Sequence, residues 1–142
     1  MSWDKSVKES IKWHDNMEVE KYEYTVGPAG EEFFKGLKQG KIIGSKCSKC
    51  GKIYIPARTY CENCFVKINN YVEIKKEEAY VDTYTIIYKD DEGRQLDKPI
   101  YIAMIRFPNT VGGLLCYAEG NVKVGGKAKI ISFDWPLRVT VE

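Results

Sequence analysis

The chain has 142 residues, of which 44% are hydrophobic and 30% charged, with a formal net charge of +2. This composition excludes a low-complexity or disordered chain, and the overall charge by itself implies no polyanionic partner. No apolar run approaches the roughly 18 residues of a membrane helix, and the charged, Trp3-containing opening does not read as a signal peptide, so a cytoplasmic location is expected.

In chain order, residues 2–17 read as a first helix. Ser2 stands as N-cap, Asp4 lies in the first turn, and Trp3, Val7 and Ile11 recur every four residues. His14, the single histidine, continues that stripe and reads as a packed residue without chemistry. A second helix is opened by Pro28, carries Glu31 and Glu32 in its first turn and Lys35 and Lys38 near its end, and is stopped by Gly40. Phe33, Phe34 and Leu37 form its apolar face, expected to pack against the segment that follows. Two adjacent phenylalanines cannot both enter one small core, so the alternative for this face is a wall turned toward a ligand.

Strands are expected over 41–46 and 52–55, on either side of the first cysteine pair, and then over 80–88, 100–107, 114–118, 127–133 and 137–141. Turn-forming segments such as Asp90-Asp91-Glu92-Gly93, Gly125-Gly126 and Trp135-Pro136 separate the later ones. Five short strands laid out as an open sheet would leave exposed edges, and closure into a five-stranded barrel removes most of that liability. Period-two alternation from Tyr80 to Tyr88 predicts one face carrying Tyr80, Asp82, Tyr84, Ile86 and Tyr88. An outward tyrosine row would suit stacking against bases or packing against a flat cofactor; the favoured reading is that the tyrosines cover the ribbon or an oligomer interface. Cys116, between Leu115 and Tyr117, reads as a small buried core residue.

The chemistry-bearing signal is Cys47-Ser-Lys-Cys50-Gly51 and Cys61-Glu-Asn-Cys64, two C-x-x-C pairs with ten residues between them. Two thiolates two residues apart can point into one tetrahedral quadrant when the backbone turns tightly, and Gly51 supplies a residue that tolerates positive φ. The intervening stretch, with Tyr54, Pro56 and Arg58, is long enough for a hairpin that brings the pairs face to face. Four soft sulfur donors suit zinc, or iron in a rubredoxin-type site, and leave no open position for a reactive water, so the site is expected to be structural. Disulfide pairing is not expected of these cysteines in a reducing compartment. Around them, residues 35–67 carry eight basic residues against Glu62 alone, which leaves the rest of the chain at −5. Part of this excess neutralises a tetrathiolate centre of net charge −2. There is no nucleophile elbow, no phosphate-cradling loop and no recognisable pair of catalytic carboxylates, so the chain reads as a binding module and not an enzyme.

The order Phe33-Phe34-Lys-Gly-Leu37, Gly40-Lys-Ile, Cys47-x-x-Cys50-Gly51, Pro56-x-Arg58, Cys61-x-x-Cys64 and Val122-Lys-Val124-Gly125-Gly126 resembles the family catalogued as domain of unknown function thirty-five. The resemblance covers nearly the whole chain. It implies a mainly β protein with N-terminal helices and a rubredoxin-like zinc ribbon over 1–69, followed by a five-stranded OB-fold barrel over 70–142. It also implies Cys47, Cys50, Cys61 and Cys64 as metal ligands, with no catalytic residue to carry over. Members look like non-catalytic partners of acyl-CoA enzymes, bridging acetoacetyl-CoA thiolase and hydroxymethylglutaryl-CoA synthase and helping to line a shared coenzyme A channel. A basic, aromatic-bearing ribbon beside a barrel would suit coenzyme A phosphates and adenine. The alternative is a single-stranded nucleic-acid-binding protein, since zinc ribbons and OB-folds both serve there. The barrel half has no basic excess, which argues against it.

Overall fold

The computed structural model describes residues 23–142, so the helix expected over 2–17 and His14 lie outside the described residues. Helix α1 spans Gly27–Lys38, with Pro28 in its first turn, where a missing N–H and a fixed φ cost nothing. Because the helix begins at Gly27, Glu31 and Glu32 fall beyond the first turn, which holds no acidic residue. The expected electrostatic support at that end is therefore absent. The other end follows expectation. Gly40 adopts φ 70°, and its N–H donates to the Leu37 carbonyl at 3.0 Å. Ala29, Phe33, Gly36 and Leu37 are the buried positions. Gly36 faces Ile43, where a Cβ would collide with the isoleucine side chain, so the glycine lets the helix lie directly on the strand beneath it.

Two sheets follow. The first has the order β3-β1-β2-β6, with β1 at Ile42–Lys46, β2 at Ile53–Ile55, β3 at Asn70–Ile74 and β6 at Val111–Gly112. Strands β1 and β2 stand where the pattern put them. Strand β3 was not expected; it pairs antiparallel with the whole of β1, from Ile42↔Ile74 to Lys46↔Asn70. Strand β6 is a two-residue parallel partner of β2, with Tyr54↔Val111 and Ile55↔Gly112. Gly112 has φ 92° and lies so close to the Ile55 carbonyl that no side chain fits there.

The second sheet has the order β4-β5-β7-β9-β8, with β4 at Tyr80–Lys89, β5 at Gln95–Arg106, β7 at Leu114–Gly120, β8 at Ala128–Ser132 and β9 at Arg138–Val141. All five expected strands are present, and β5 begins five residues earlier than its apolar run because it continues the hairpin with β4 to Gln95. The edges β4 and β8 meet at the isolated bridge Tyr80↔Lys127. Hydrogen bonds from Val81 N–H to Gly126 O at 2.9 Å and from Gly125 N–H to Val81 O at 2.8 Å reinforce it. This OB-fold barrel is thus joined at one end and is not hydrogen-bonded along the full length of its seam, contrary to the closed barrel expected from edge protection.

The tyrosine row is also corrected. Between Val81↔Ile105 and Thr83↔Met104 the register slips, so Asp82 is an extra residue and the inward and outward positions exchange beyond it. Tyr80 lies opposite Arg106, while Tyr84 lies opposite the buried Ala103, on the side of Val81 and Ile105. Tyr84 and Tyr101 then sit 6.4 Å apart, centroid to centroid, and Tyr80 no longer shares a face with Tyr84.

One apolar core runs through both sheets. Phe33, Leu37, Ile42 and Ile55 join Val81, Ile105, Phe107, Leu114, Leu137 and Val139 in a single cluster. Cys116 belongs to it, and burial pushes its thiol up to about 12, as expected of an inert core cysteine.

Candidate metal centre

The two C-x-x-C segments fold into near copies of one turn. In the first, Cys47 N–H donates to Lys52 O at 2.9 Å and Gly51 N–H to Cys47 O at 3.0 Å. In the second, Cys61 N–H donates to Val66 O at 3.0 Å and Phe65 N–H to Cys61 O at 3.0 Å. The residue after each second cysteine must therefore adopt the left-handed conformation: Gly51 has φ 77° and Phe65 has φ 56°. The first of these was legible from the glycine. The second was not, because a phenylalanine occupies the equivalent place.

The hairpin through β2 sets the turns against each other. The Sγ atoms of Cys47, Cys50, Cys61 and Cys64 all lie within 4.8 Å of one another, and Cys50 Sγ is 3.6 Å from Cys61 Sγ. A tetrahedral four-sulfur shell with bonds of about 2.3 Å places its sulfurs about 3.8 Å apart, so the donor set and its spacing fit zinc. Cys47 and Cys61 are buried, Cys64 is half-buried and Cys50 is exposed, so the centre lies at the tip of the ribbon.

Hydrogen bonds distribute charge unevenly over the four thiols. Burial raises the Cys61 pKa, but the Tyr54 hydroxyl at 3.1 Å and the N–H groups of Cys64 and Asn63, both at 3.4 Å, outweigh it and bring it down to about 6. Cys47 is lowered as well, chiefly by the N–H of Cys50. Cys64 moves the other way, to about 11, through burial and the neighbouring Cys50 and Cys47 sulfurs. A bound dication removes that conflict, since a coordinated thiol is deprotonated outright.

Tyr54 is the site residue that sequence reasoning passed over. It is fully buried in β2, packed in the ribbon core with Cys47, Cys61 and Ile68. The hydrogen bond to Cys61, followed by burial, raises its phenol to about 12, so the hydroxyl keeps its proton and can donate it to a Cys61 thiolate. The Arg58 guanidinium stands 4.6 Å from the Tyr54 ring centroid and pairs at 3.3 Å with Glu62, inside the second turn. Lys46, Lys49, Lys52 and Lys67 remain exposed around the centre.

Two predictions follow locally. Tyr54→Phe keeps the ring but deletes the donor, and zinc affinity falls roughly tenfold in a chelator competition, as for other groups that orient metal ligands. Unchanged retention would show the hydroxyl to be irrelevant. Gly51→Ala, in open space, meets only the backbone penalty and costs about 1 kcal/mol, whereas Phe65→Gly releases that strain and leaves thermal stability equal or higher. Paired melting curves check both, and a markedly lower Tm for Phe65→Gly would contradict the argument.

Among the described residues no helix is long and apolar enough to cross a membrane. The chain matches the ChsH2 rubredoxin-like zinc ribbon domain over residues 34–69 and the ChsH2 C-terminal OB-fold domain over residues 71–134. It is 77% identical to a DUF35-family protein from Sulfolobus solfataricus whose crystal structure superposes with a TM-score of 0.80, covering 89% of this chain and 93% of that one. It also resembles, in fold alone, a chain of the Ltp2-ChsH2(DUF35) aldolase, at 15% identity and a TM-score of 0.61 over 84% of this chain and 98% of that one. The paired turns, the four converging sulfurs, the OB-fold sheet and the close relative together place this chain in the DUF35 family, with a rubredoxin-like zinc ribbon followed by an OB-fold domain.

Proposed function

We propose that this chain is a cytoplasmic, non-catalytic subunit of an acyl-CoA-processing assembly. In it, Cys47, Cys50, Cys61 and Cys64 hold one structural zinc ion in a ribbon module over 1–69, and the OB-fold module over 70–142 completes a docking and coenzyme A-binding surface. The observation that carries the reading is the convergence of the four sulfurs. A four-thiolate shell leaves no coordination position for water or substrate, so the ion braces the ribbon without taking part in a reaction. Family membership adds support, and the Ltp2-ChsH2(DUF35) aldolase pairs a DUF35 chain with a second component in its very name.

The partners in this reading are a thiolase and a hydroxymethylglutaryl-CoA synthase-type enzyme. Such an assembly would pass an acetoacetyl thioester onward without releasing it, the DUF35 chain contributing position and not chemistry. The test mixes the zinc-loaded chain with thiolase and synthase from the same cell. Co-elution on size exclusion and a lower steady-state level of free acetoacetyl-CoA are expected. Separate elution, together with no coenzyme A binding at millimolar ligand, would overturn the proposal. Turnover of acetoacetyl-CoA by the isolated chain would overturn its non-catalytic part.

A further inference from the structure

Away from the metal lie two hollows that share Phe133 as a wall, one between helix α1 and the β8–β9 connection, the other beside β8 and residues 76–77. One, of about 510 Å³, is lined by Phe34, Leu37, Lys38, Gly40, Phe133 and Trp135. The other, of about 390 Å³, is lined by Lys76, Lys127, Lys129, Ile130 and Phe133 among others. Both are of the size that small-molecule ligands occupy.

The first hollow is an aromatic seat. Trp135 meets Phe33 and Phe34 edge-on, with centroids 5.9 and 5.4 Å away, and Phe33 meets Phe34 at 5.4 Å in the same manner. The indole is thus held by two rings, yet it stays 53% exposed. A rigidly held but half-open indole is suited to receive another flat group. The second hollow is cationic. Lys76 is half-buried, donates to Gly40 O at 2.7 Å and stands 5.1 Å from the Phe133 ring centroid. An ammonium group has three donors, so it has others to offer. Lys127, at the bridge just before β8, and Lys129 within it are two residues apart in extended chain and line the same hollow.

Carboxylates also line these hollows, Asp134 in the first and Glu77 and Glu142 in the second. They would disfavour a bare polyphosphate and a plain fatty chain, but they are acceptors for ribose hydroxyls or an exocyclic amine. Rings on one side of Phe133 and ammonium groups on the other, with carboxylates on both, match a ligand that joins a flat base, a sugar and phosphates and lies across that ring as in a groove. We infer that this groove is a nucleotide site: an adenine seats against Trp135 and Phe34, and its phosphates face Lys76, Lys127 and Lys129. The inference rests on the acyl-CoA reading above and assigns the adenosine end of coenzyme A to the barrel–helix groove instead of the metal-bearing ribbon.

The test titrates the zinc-loaded full chain with coenzyme A, adenosine 3′,5′-bisphosphate and pantetheine by calorimetry, at two salt concentrations. The bisphosphate is expected to compete with coenzyme A and to weaken with salt, while pantetheine alone binds poorly. The double substitution Lys127→Glu with Lys129→Glu, at exposed positions, is expected to lower affinity for both nucleotides at least about tenfold, and Trp135→Ala to do the same. Retained coenzyme A binding in these variants would overturn the groove assignment and leave the acyl-CoA reading standing. Pantetheine binding as tightly as coenzyme A would do likewise. If coenzyme A binds neither the chain alone nor its complex with thiolase, both fall together.

Discussion

Cys61→Ser is expected to abolish zinc binding and unfold the ribbon, with metal content falling from one equivalent to near zero. Cys61 is buried, and its sulfur accepts from Tyr54 and from two backbone N–H groups, so no other side chain can take its place in the shell. Structural zinc contributes roughly 10 kcal/mol or more to folding in small zinc-bound domains, enough to decide whether a short ribbon folds. The damage should reach the first sheet, because β2 carries Tyr54 and pairs with both β1 and β6. Hydrogen exchange would show β1 and β2 amides losing protection. Cys116→Ala serves as the control, keeping full metal content because that thiol lies in the barrel core. A Cys61→Ser protein that still holds one tightly bound zinc would refute the four-sulfur site.

The same site sets a pH dependence. Metal binding requires thiolates, so retention weakens as pH falls. In the ion-free chain Cys61 has a depressed pKa, about 6 against an ordinary 9.0. Its stabilising contribution is therefore complete above 9.0 and is lost as pH falls through about 6. Cys64 has the opposite sign: raised to about 11, it favours the fold below 9.0 and ceases to do so as pH rises through about 11. Zinc removes the alkaline limb by holding Cys64 as a thiolate, so the loaded chain should keep its Tm at alkaline pH better than the ion-free chain.

Phe33→Ala is expected to cost about 3–5 kcal/mol, or roughly 10–15 °C in Tm for a chain of this size. Phe33 is only 2% exposed and lies in the core cluster shared by α1, the first sheet and the barrel, with Trp135 against its edge. Phe34→Ala, half-buried at the rim of the aromatic hollow, should cost much less stability. The contrast settles the problem posed by two adjacent phenylalanines, since one closes the core and its neighbour lines a cavity. Denaturant titrations of both variants check it. A loss below about 1 kcal/mol for Phe33→Ala would mean that α1 is not anchored as described.

What could be read in the sequence was local. A C-x-x-C turn closes within a few residues, so Cys47-x-x-Cys50-Gly51 announces its own geometry, and the helix ends at Pro28 and Gly40 follow from single-residue backbone preferences. The barrel strands were legible because β-branched and aromatic runs alternate with turn residues. The edge argument anticipated a barrel but overstated its closure, because the seam needs only the Tyr80↔Lys127 bridge and its flanking bonds at one end.

What escaped depended on partners distant in the chain. Strand β3 exists because β1 offers it a free edge, and the two residues of β6 are far too few to carry a pattern of their own. The slip at Asp82 reverses the positions from Thr83 to Ile87, before a second irregularity precedes Lys89, and nothing in that strand's alternation announces it, since a bulge is defined against the opposite strand. Phe65 takes a left-handed conformation because the second cysteine turn must match the first. The amino-acid order thus determined the metal-binding turns, the helix limits and the β character of the remainder, all products of short-range backbone and side-chain preference. Tertiary structure decided which tyrosines of β4 share a face, that Tyr54 reaches the Cys61 sulfur, and that Trp135 packs edge-on against Phe34, because each depends on long-range register and packing.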